Sequence, residues 1–244
     1  MPAPQKQQWA DEIENRAVVW ENKRALRRIY QRWHGDIRSA CVDGATLEIG
    51  GGSGQLKEYW PEVLTTDLVG SPHVDVCADC LSLPFSASSF DNIVGIDILH
   101  HVADLDTAMK ELARTVRHGG RLVFVEPYVS MFSGLVRNLF HQEKSDLKVE
   151  NIFGPSKNPE DGNLAIPTKV FWREKNVFEN RFPFLRLVRT TRSDVIAYPL
   201  TGGFGRANLF PEAALNLIRS AEFVLKPLLP LLAFKTMLVV EVRH

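Results

Sequence analysis

Apolar positions recur along this chain at helical and at strand spacing by turns. Over residues 9 to about 34, Ile13, Ala17, Trp20, Ala25, Ile29 and Trp33 share one side of a helix. Lys23, Arg24, Arg27, Arg28 and Arg32 make the other side basic, which reads as a solvated face in preference to a lid over the ligand site with anion-attracting arginines. His34-Gly35-Asp36 is expected to break that helix. Short apolar runs then alternate with amphipathic ones. Residues 46–49, 61–68, 75–79, 88–96 and 121–127 read as strands. Residues 56–60 open a helix. Another, capped by Asp104 or Asp106, carries Leu105, Met109, Leu112, Ala113 and Val116 on one face. Gly119-Gly120 is expected to end it. Strand and helix in alternation predict an α/β domain with a parallel sheet.

After residue 127 the rhythm is interrupted. Residues 131–140 predict a helix with Phe132, Leu135, Val136, Leu139 and Phe140 on one side. Pro155, Pro159, Asp161-Gly162 and Pro167 mark loops, and residues 168–178 carry conflicting strand and helix signals. Residues 184–190 predict a sixth strand, Pro211 to about Leu225 a helix, and residues 236–242 a seventh strand. The stretch 128–184 is long for a connection inside a compact domain. It reads either as a cap over the ligand end of the sheet or as an extension of the core.

The 244 residues divide into an N-terminal helical segment (1–40), a core (41–127), the insertion (128–184) and the last strands and helix (185–244). With 29 basic and 29 acidic residues the net charge is zero, which argues against a nucleic-acid partner. No apolar run reaches transmembrane length and the first residues are polar, so the expectation is a soluble cytoplasmic protein without an integral membrane segment. Cys77 and Cys80 have C-x-x-C spacing, but no second pair completes a metal set. They read as small buried residues beside a strand, and no metal is expected.

The chemistry concentrates in Leu47-Glu48-Ile49-Gly50-Gly51-Gly52-Ser53-Gly54-Gln55. A strand, a glycine turn and a helix N-terminus form a ligand cradle, because glycine permits positive φ and close approach to the backbone. A P-loop would need Gly-Lys-Ser/Thr after its glycines, and none is present. A dinucleotide turn would need a third glycine where Gln55 stands. Acidic-x-G-x-G-x-G is filled by Glu48, Gly50, Gly52 and Gly54. Asp67 follows 17 residues after Gly50, at the end of the next strand, where a carboxylate can accept from both hydroxyls of a ribose.

With these motifs, with Asp79 before Leu83-Pro84-Phe85, and with Phe90-Asp91 before the fourth strand, the chain resembles the class I S-adenosylmethionine (SAM) methyltransferases, type 11-like. The resemblance covers residues 41–127 strongly and the rest loosely. It implies a Rossmann-like, doubly wound, seven-stranded sheet, mostly parallel, with strand seven antiparallel between strands five and six. The N-terminal helix and the inserted cap are added to this. It implies SAM as cofactor, held by Glu48, Gly50, Gly51, Gly52, Gly54, Asp67, Leu68, Asp79, Cys80, Leu81 and Asp97. Asp79 would meet the adenine amino group, and Asp97 could hold the methionine ammonium.

Methyl transfer to a hydroxyl needs a general base. Candidates at the ends of strands four and five or in the insertion are His100, Asp97, Tyr128 and His141. No Asn/Asp-Pro-Pro-Tyr/Phe follows strand four, which disfavours amino-methylation of adenine in nucleic acid. The apolar insertion leans toward a small-molecule or lipid-like acceptor, methylated at oxygen. The alternatives are a SAM- or nucleotide-binding protein without turnover and, less in keeping with Glu48 and Gln55, a nicotinamide oxidoreductase.

Overall fold

The computed structural model describes residues 3–140, 145–150, 152–155 and 162–243. Two helices lead: α1 (Ala3–Asn22) and α2 (Arg24–Ala40). The break falls at Lys23, and α2 runs through His34-Gly35-Asp36 to Ala40. Gly35 is carried because Ile29, Trp33 and Ile37 on either side are buried along one stripe. The basic face of α2 is not simply solvated. Lys23 donates to the carbonyls of Thr201, Gly203 and Arg206, Arg28 bonds Asn216, and Arg32 pairs with the buried Asp194. These contacts fasten the N-terminal helices to residues 194–216.

The sheet follows. β1 (Thr46–Ile49), α3 (Gln55–Tyr59), β2 (Leu64–Asp67), β3 (Val76–Cys77) and β4 (Phe90–Ile96) precede α4 (Leu105–Thr115) and β5 (Val116–Pro127). Asp104 is the cap of α4, its Oδ1 accepting from the N–H of Thr107 at 3.0 Å. α4 ends at Thr115 rather than at Gly119-Gly120. Val116 already pairs with Phe90, and the chain bulges before Arg121 pairs with Asn92. After α5 (Met131–Phe140) the residues 166–181 are helical: α6 (Ile166–Thr168), a π-turn over Lys169–Arg173 and α7 (Lys175–Arg181). Then come β6 (Leu185–Ser193), α8 (Ala197–Thr201), α9 (Leu215–Val224), α10 (Leu229–Leu232) and β7 (Lys235–Val242).

The strand order is β3-β2-β1-β4-β5-β7-β6. β1 to β5 pair in parallel, and β7 lies antiparallel between β5 and β6. One face of the sheet is covered by α1, α2, α3 and α8, with Trp20, Trp33, Ile37 and Leu56 among the buried side chains. The other is covered by α4 together with Ile152, Phe153, Val170, Phe171, Phe178 and Phe182. This part of the insertion extends the core. α5 differs: Phe132 and Leu135, expected on its packed side, are exposed, while Ser133 and Arg137 are buried. The side chains of Leu139 and Phe140 lie outside the described residues.

The order reverses direction between β1 and β4. Ligands of doubly wound sheets bind outside the carboxyl ends of the strands at that point. An antiparallel β7 brings its first residue, Lys235, to the same end, opposite Pro127 of β5.

Candidate active site

The glycine turn leaves β1 with Gly50, Gly52 and Gly54 at φ of 70°, 49° and 79°. A side chain at Gly50 would collide with Ile98, at 2.9 Å from its Cβ position, so this residue is required by packing. Gly52 is different. Its Cβ position has nothing nearer than 4.0 Å, one of the two atoms there being Asp67 Oδ2. The backbone at Gly52 is therefore open for a ligand to approach. Gly54, in the left-handed conformation, caps α3.

Asp67 closes this cradle from β2. Its Oδ2 accepts from the N–H of Gly52 at 2.9 Å and its Oδ1 from the N–H of Val69 at 3.0 Å. Each oxygen retains a lone pair, so the carboxylate is held rigid and can still accept from a ribose diol. Leu68 beside it is largely exposed. Asp79 is exposed and accepts from the N–H of Leu81 at 2.9 Å, which shapes the turn carrying Cys80 and Leu81. Burial and the charge of Asp79 push the Cys80 thiol up to about 12, so it stays a neutral wall. Cys77, expected to be buried, is exposed, its Sγ 3.4 Å from the carbonyl of Leu68. Its strand is only two residues long and forms the edge of the sheet.

Glu48 lies under the cradle. It is buried, and its Oε2 has no hydrogen-bond partner among the described residues. Burial, with the charge of Asp67 added, raises its pKa to about 8. At neutral pH it is a protonated acid.

A second group of side chains meets at the ends of β4, β5 and β7. Asp97 has φ of 56°, a left-handed conformation outside glycine that costs roughly 1–3 kcal/mol and is held by surrounding contacts. Its N–H donates to Val125 at 2.9 Å, and both carboxylate oxygens take the ammonium of Lys235. That lysine is almost completely buried, 4.9 Å from the rings of Trp33 and of Tyr198. Burial opposes charge on both partners. Their mutual attraction outweighs it, so Asp97 titrates below and Lys235 above its ordinary value.

Next to this pair, a short turn over Leu99–His101 carries His100. Glu126, fully buried near the end of β5, organises the turn. Its Oε1 accepts from the N–H groups of Ile98 and Leu99, both at 2.8 Å, and its Oε2 lies 2.8 Å from His100 Nδ1. A carboxylate there favours the tautomer with the proton on Nδ1, which leaves Nε2 as the basic nitrogen. Asp97, His100 and Glu126 stand close enough to ligate one metal ion. The Lys235 ammonium already balances Asp97, and both oxygens of Glu126 are engaged.

The structure thus brings Glu48, Gly50, Gly51, Gly52, Gly54 and Asp67 to one end of the sheet, with Asp97 and His100 beside them. Tyr128 is buried at the same end of β5, its ring 5.5 Å from Trp172, with Arg192 stacked over both rings. His141 lies outside the described residues. Lys235 and Glu126 carried no signal in the sequence beyond being charged residues in apolar strands, Glu126 in Phe124-Val125-Glu126 and Lys235 before Thr236. Such placement is itself a hint, because a charge within a buried strand must find a partner.

Residues 47–124 match the protein family described as "Methyltransferase domain". The methyltransferase GfsG of Streptomyces halstedii is 43% identical over 49 residues, and the O-methyltransferase cnsE of Penicillium expansum 41% over 49. In each case the match spans 20% of this chain and 18% of the relative's length. Among solved structures, a SAM-dependent methyltransferase of Thermotoga maritima, described as a possible histamine N-methyltransferase, superposes with a TM-score of 0.53 at 12% identity. That superposition covers 96% of this chain and 99% of that one, a likeness of fold alone. Residues 47–124 thus match a methyltransferase domain, and the chain as a whole shares the fold of a structure described as a SAM-dependent methyltransferase.

Proposed function

We propose that this protein methylates a small-molecule or lipid-like acceptor at oxygen, using SAM. The observation that carries the cofactor half is the open backbone at Gly52 facing the fixed carboxylate of Asp67. Asp67 would hold the ribose, the turn from Gly50 to Gly54 the amino-acid portion, and Asp79, Cys80 and Leu81 the adenine. SAM, when bound, supplies a methyl group on a sulfonium. It is already electrophilic, so the protein's own work is to place the acceptor in line, keep water out and take a proton.

Transfer at oxygen is supported by the imidazole of His100. Glu126 orients this buried ring through Nδ1, which makes Nε2 the nitrogen that would receive the proton of an acceptor hydroxyl. Glu126 acts here as a positioning residue. Asp97 is the poorer base, since Lys235 holds it ionised and below its ordinary pKa. Its paired state also means that a methionine ammonium would share it with Lys235.

The test is incubation of the protein with isotopically labelled SAM and fractions of a metabolite extract, followed by mass spectrometry. A product heavier by one labelled methyl group in place of hydrogen, lost on His100→Asn, supports the reading. Calorimetry with SAM and with NAD separates the binding classes. Tight SAM binding with no product in any fraction would favour a binding module without turnover, and NAD binding alone would sink the cofactor assignment.

A further inference from the structure

α5 is inside out. Ser133 and Arg137 are 0% and 6% exposed, whereas Met131 and Leu135 are 76% and 59% exposed. From the last two residues of α9 through α10 the chain reads Phe-Val-Leu-Lys-Pro-Leu-Leu-Pro-Leu-Leu over residues 223–232. Lys226 is the one charge in this stretch and none of the ten residues is buried, with Phe223 67% and Val224 75% exposed. The two stretches adjoin: α10 packs on α5, and the Phe132 ring meets that of Phe234 edge-on at 6.0 Å. A soluble monomer rarely exposes a contiguous apolar patch of this kind.

We propose that this face docks on a membrane surface carrying anionic lipid. Charge argues for that occupant. Lys226 is the exposed cation of the apolar stretch, Arg219 standing by Asp36 instead, and the one acid of residues 215–232, Glu222, turns inward. Its Oε1 accepts from the N–H groups of Val195, Ile196 and Ala197 at 2.9, 2.6 and 2.9 Å. The patch therefore presents apolar and positive groups together, the composition that binds an acidic interface. Lys226 Nζ stands 4.1 Å from the centre of the exposed Phe223 ring, a cation beside an apolar group, as suits the water boundary of a bilayer. Pro227 and Pro230 divide the segment into short pieces. Ten residues would reach about 15 Å as a helix, half of a hydrocarbon core of about 30 Å, so the segment lies in the interface and does not cross it. Among the described residues no helix is long and apolar enough to span.

The position fits a use. α5 leaves the carboxyl end of β5, and the apolar segment runs directly into Lys235, which meets Asp97. Docking would turn the polar end of the sheet toward the bilayer, where a lipid-like molecule could enter. The docking itself stands apart from the chemistry proposed above and is read without any transfer assay.

The experiment is flotation with vesicles of phosphatidylcholine alone and of phosphatidylcholine mixed equally with phosphatidylglycerol. The protein is expected to float with the mixed vesicles and to prefer them. A variant with Phe223→Ser, Leu228→Ser and Leu231→Ser should lose affinity about tenfold or more. Its melting temperature should fall by only a few degrees, because Phe223 is mostly exposed and Leu228 and Leu231 are about half exposed. Lys226→Glu should abolish the preference for the mixed vesicles. Failure of the unaltered protein to float, or equal flotation of the serine variant, would overturn the proposal. So would a stable dimer in sedimentation that the serine variant turns into monomer, which would show that a second copy covers the face.

Discussion

Two carboxylate sites stand side by side at the ligand end of this sheet and are built in opposite ways. Asp67 is partly exposed, and its oxygens are held by backbone N–H groups from the glycine turn and its own strand end. Asp97 is likewise only partly buried, and its carboxylate is held by one side chain, the buried ammonium of Lys235, 138 residues away in the chain. The first arrangement leaves lone pairs for a ligand and asks nothing of distant residues. The second satisfies its charge internally, so its stability depends on both partners being present. Backbone-held acids suit a site that receives a neutral diol. Side-chain-held acids suit a site where net charge must stay small before an acceptor arrives.

The largest test removes one partner of the buried pair. Lys235→Met leaves Asp97 charged and uncompensated and should cost about 3–5 kcal/mol in chemical denaturation, with Asp97→Asn restoring most of it. An exposed pair would show less than about 1 kcal/mol, and a loss that small would erase the contrast between the two sites. The pair's linkage with pH has a definite sign. Asp97 is depressed, so its contribution is present above its unfolded value and fades as pH falls. Lys235 is raised, so its contribution is present below its unfolded value and fades as pH rises.

His100→Asn should lower the transfer rate about a hundredfold or more with SAM affinity unchanged. Glu126→Gln should do part of the same and shift the pH profile of the rate, since the imidazole would lose its carboxylate. A variant of Glu126 that lost stability but kept the profile would reduce it to a brace for the turn.

Glu48 sharpens the comparison from below the cradle. Folding raises its pKa from 4.5 to about 8. The folded state keeps a proton that the unfolded chain releases, so stability falls as pH rises across that window and levels above it. Glu48→Gln should therefore gain melting temperature over the natural protein progressively through the window. A constant difference at all pH values would contradict a protonated Glu48.

The smallest expected effect is at Asp67. Asp67→Asn retains one acceptor oxygen but loses the charge, and SAM affinity by calorimetry should fall about tenfold, within the range for hydrogen bonds to charged groups. An unchanged affinity would detach Asp67 from the cofactor.

What could be read from the chain follows from distance along it. Glu48, the glycines, Asp67 and Asp79 sit within one strand-turn-helix-strand passage, and their types and spacing are consequences of local backbone geometry. The seven strands were readable as apolar runs, and the place of β7 between β5 and β6 followed from the resemblance. Helix ends were less legible. α2 continues past Gly35 because buried Trp33 and Ile37 outweigh one glycine, and α4 stops early because Val116 is taken by the sheet.

Tertiary structure decided the rest. Nothing near Lys235 names Asp97 as its partner; an antiparallel last strand carries it there. Glu126 becomes the organiser of His100 only because β4 and β5 are neighbours. On α5 the apolar periodicity is genuine, yet periodicity shows only that a helix has two sides. Which side meets the core depends on what the neighbouring elements present, and here Ser133 and Arg137 find polar partners at the chain's own carbonyls of Tyr128 and Phe234. Burying those polar groups with partners, while leaving Met131 and Leu135 outside, is a balance of desolvation against pairing that exists only once the fold has formed.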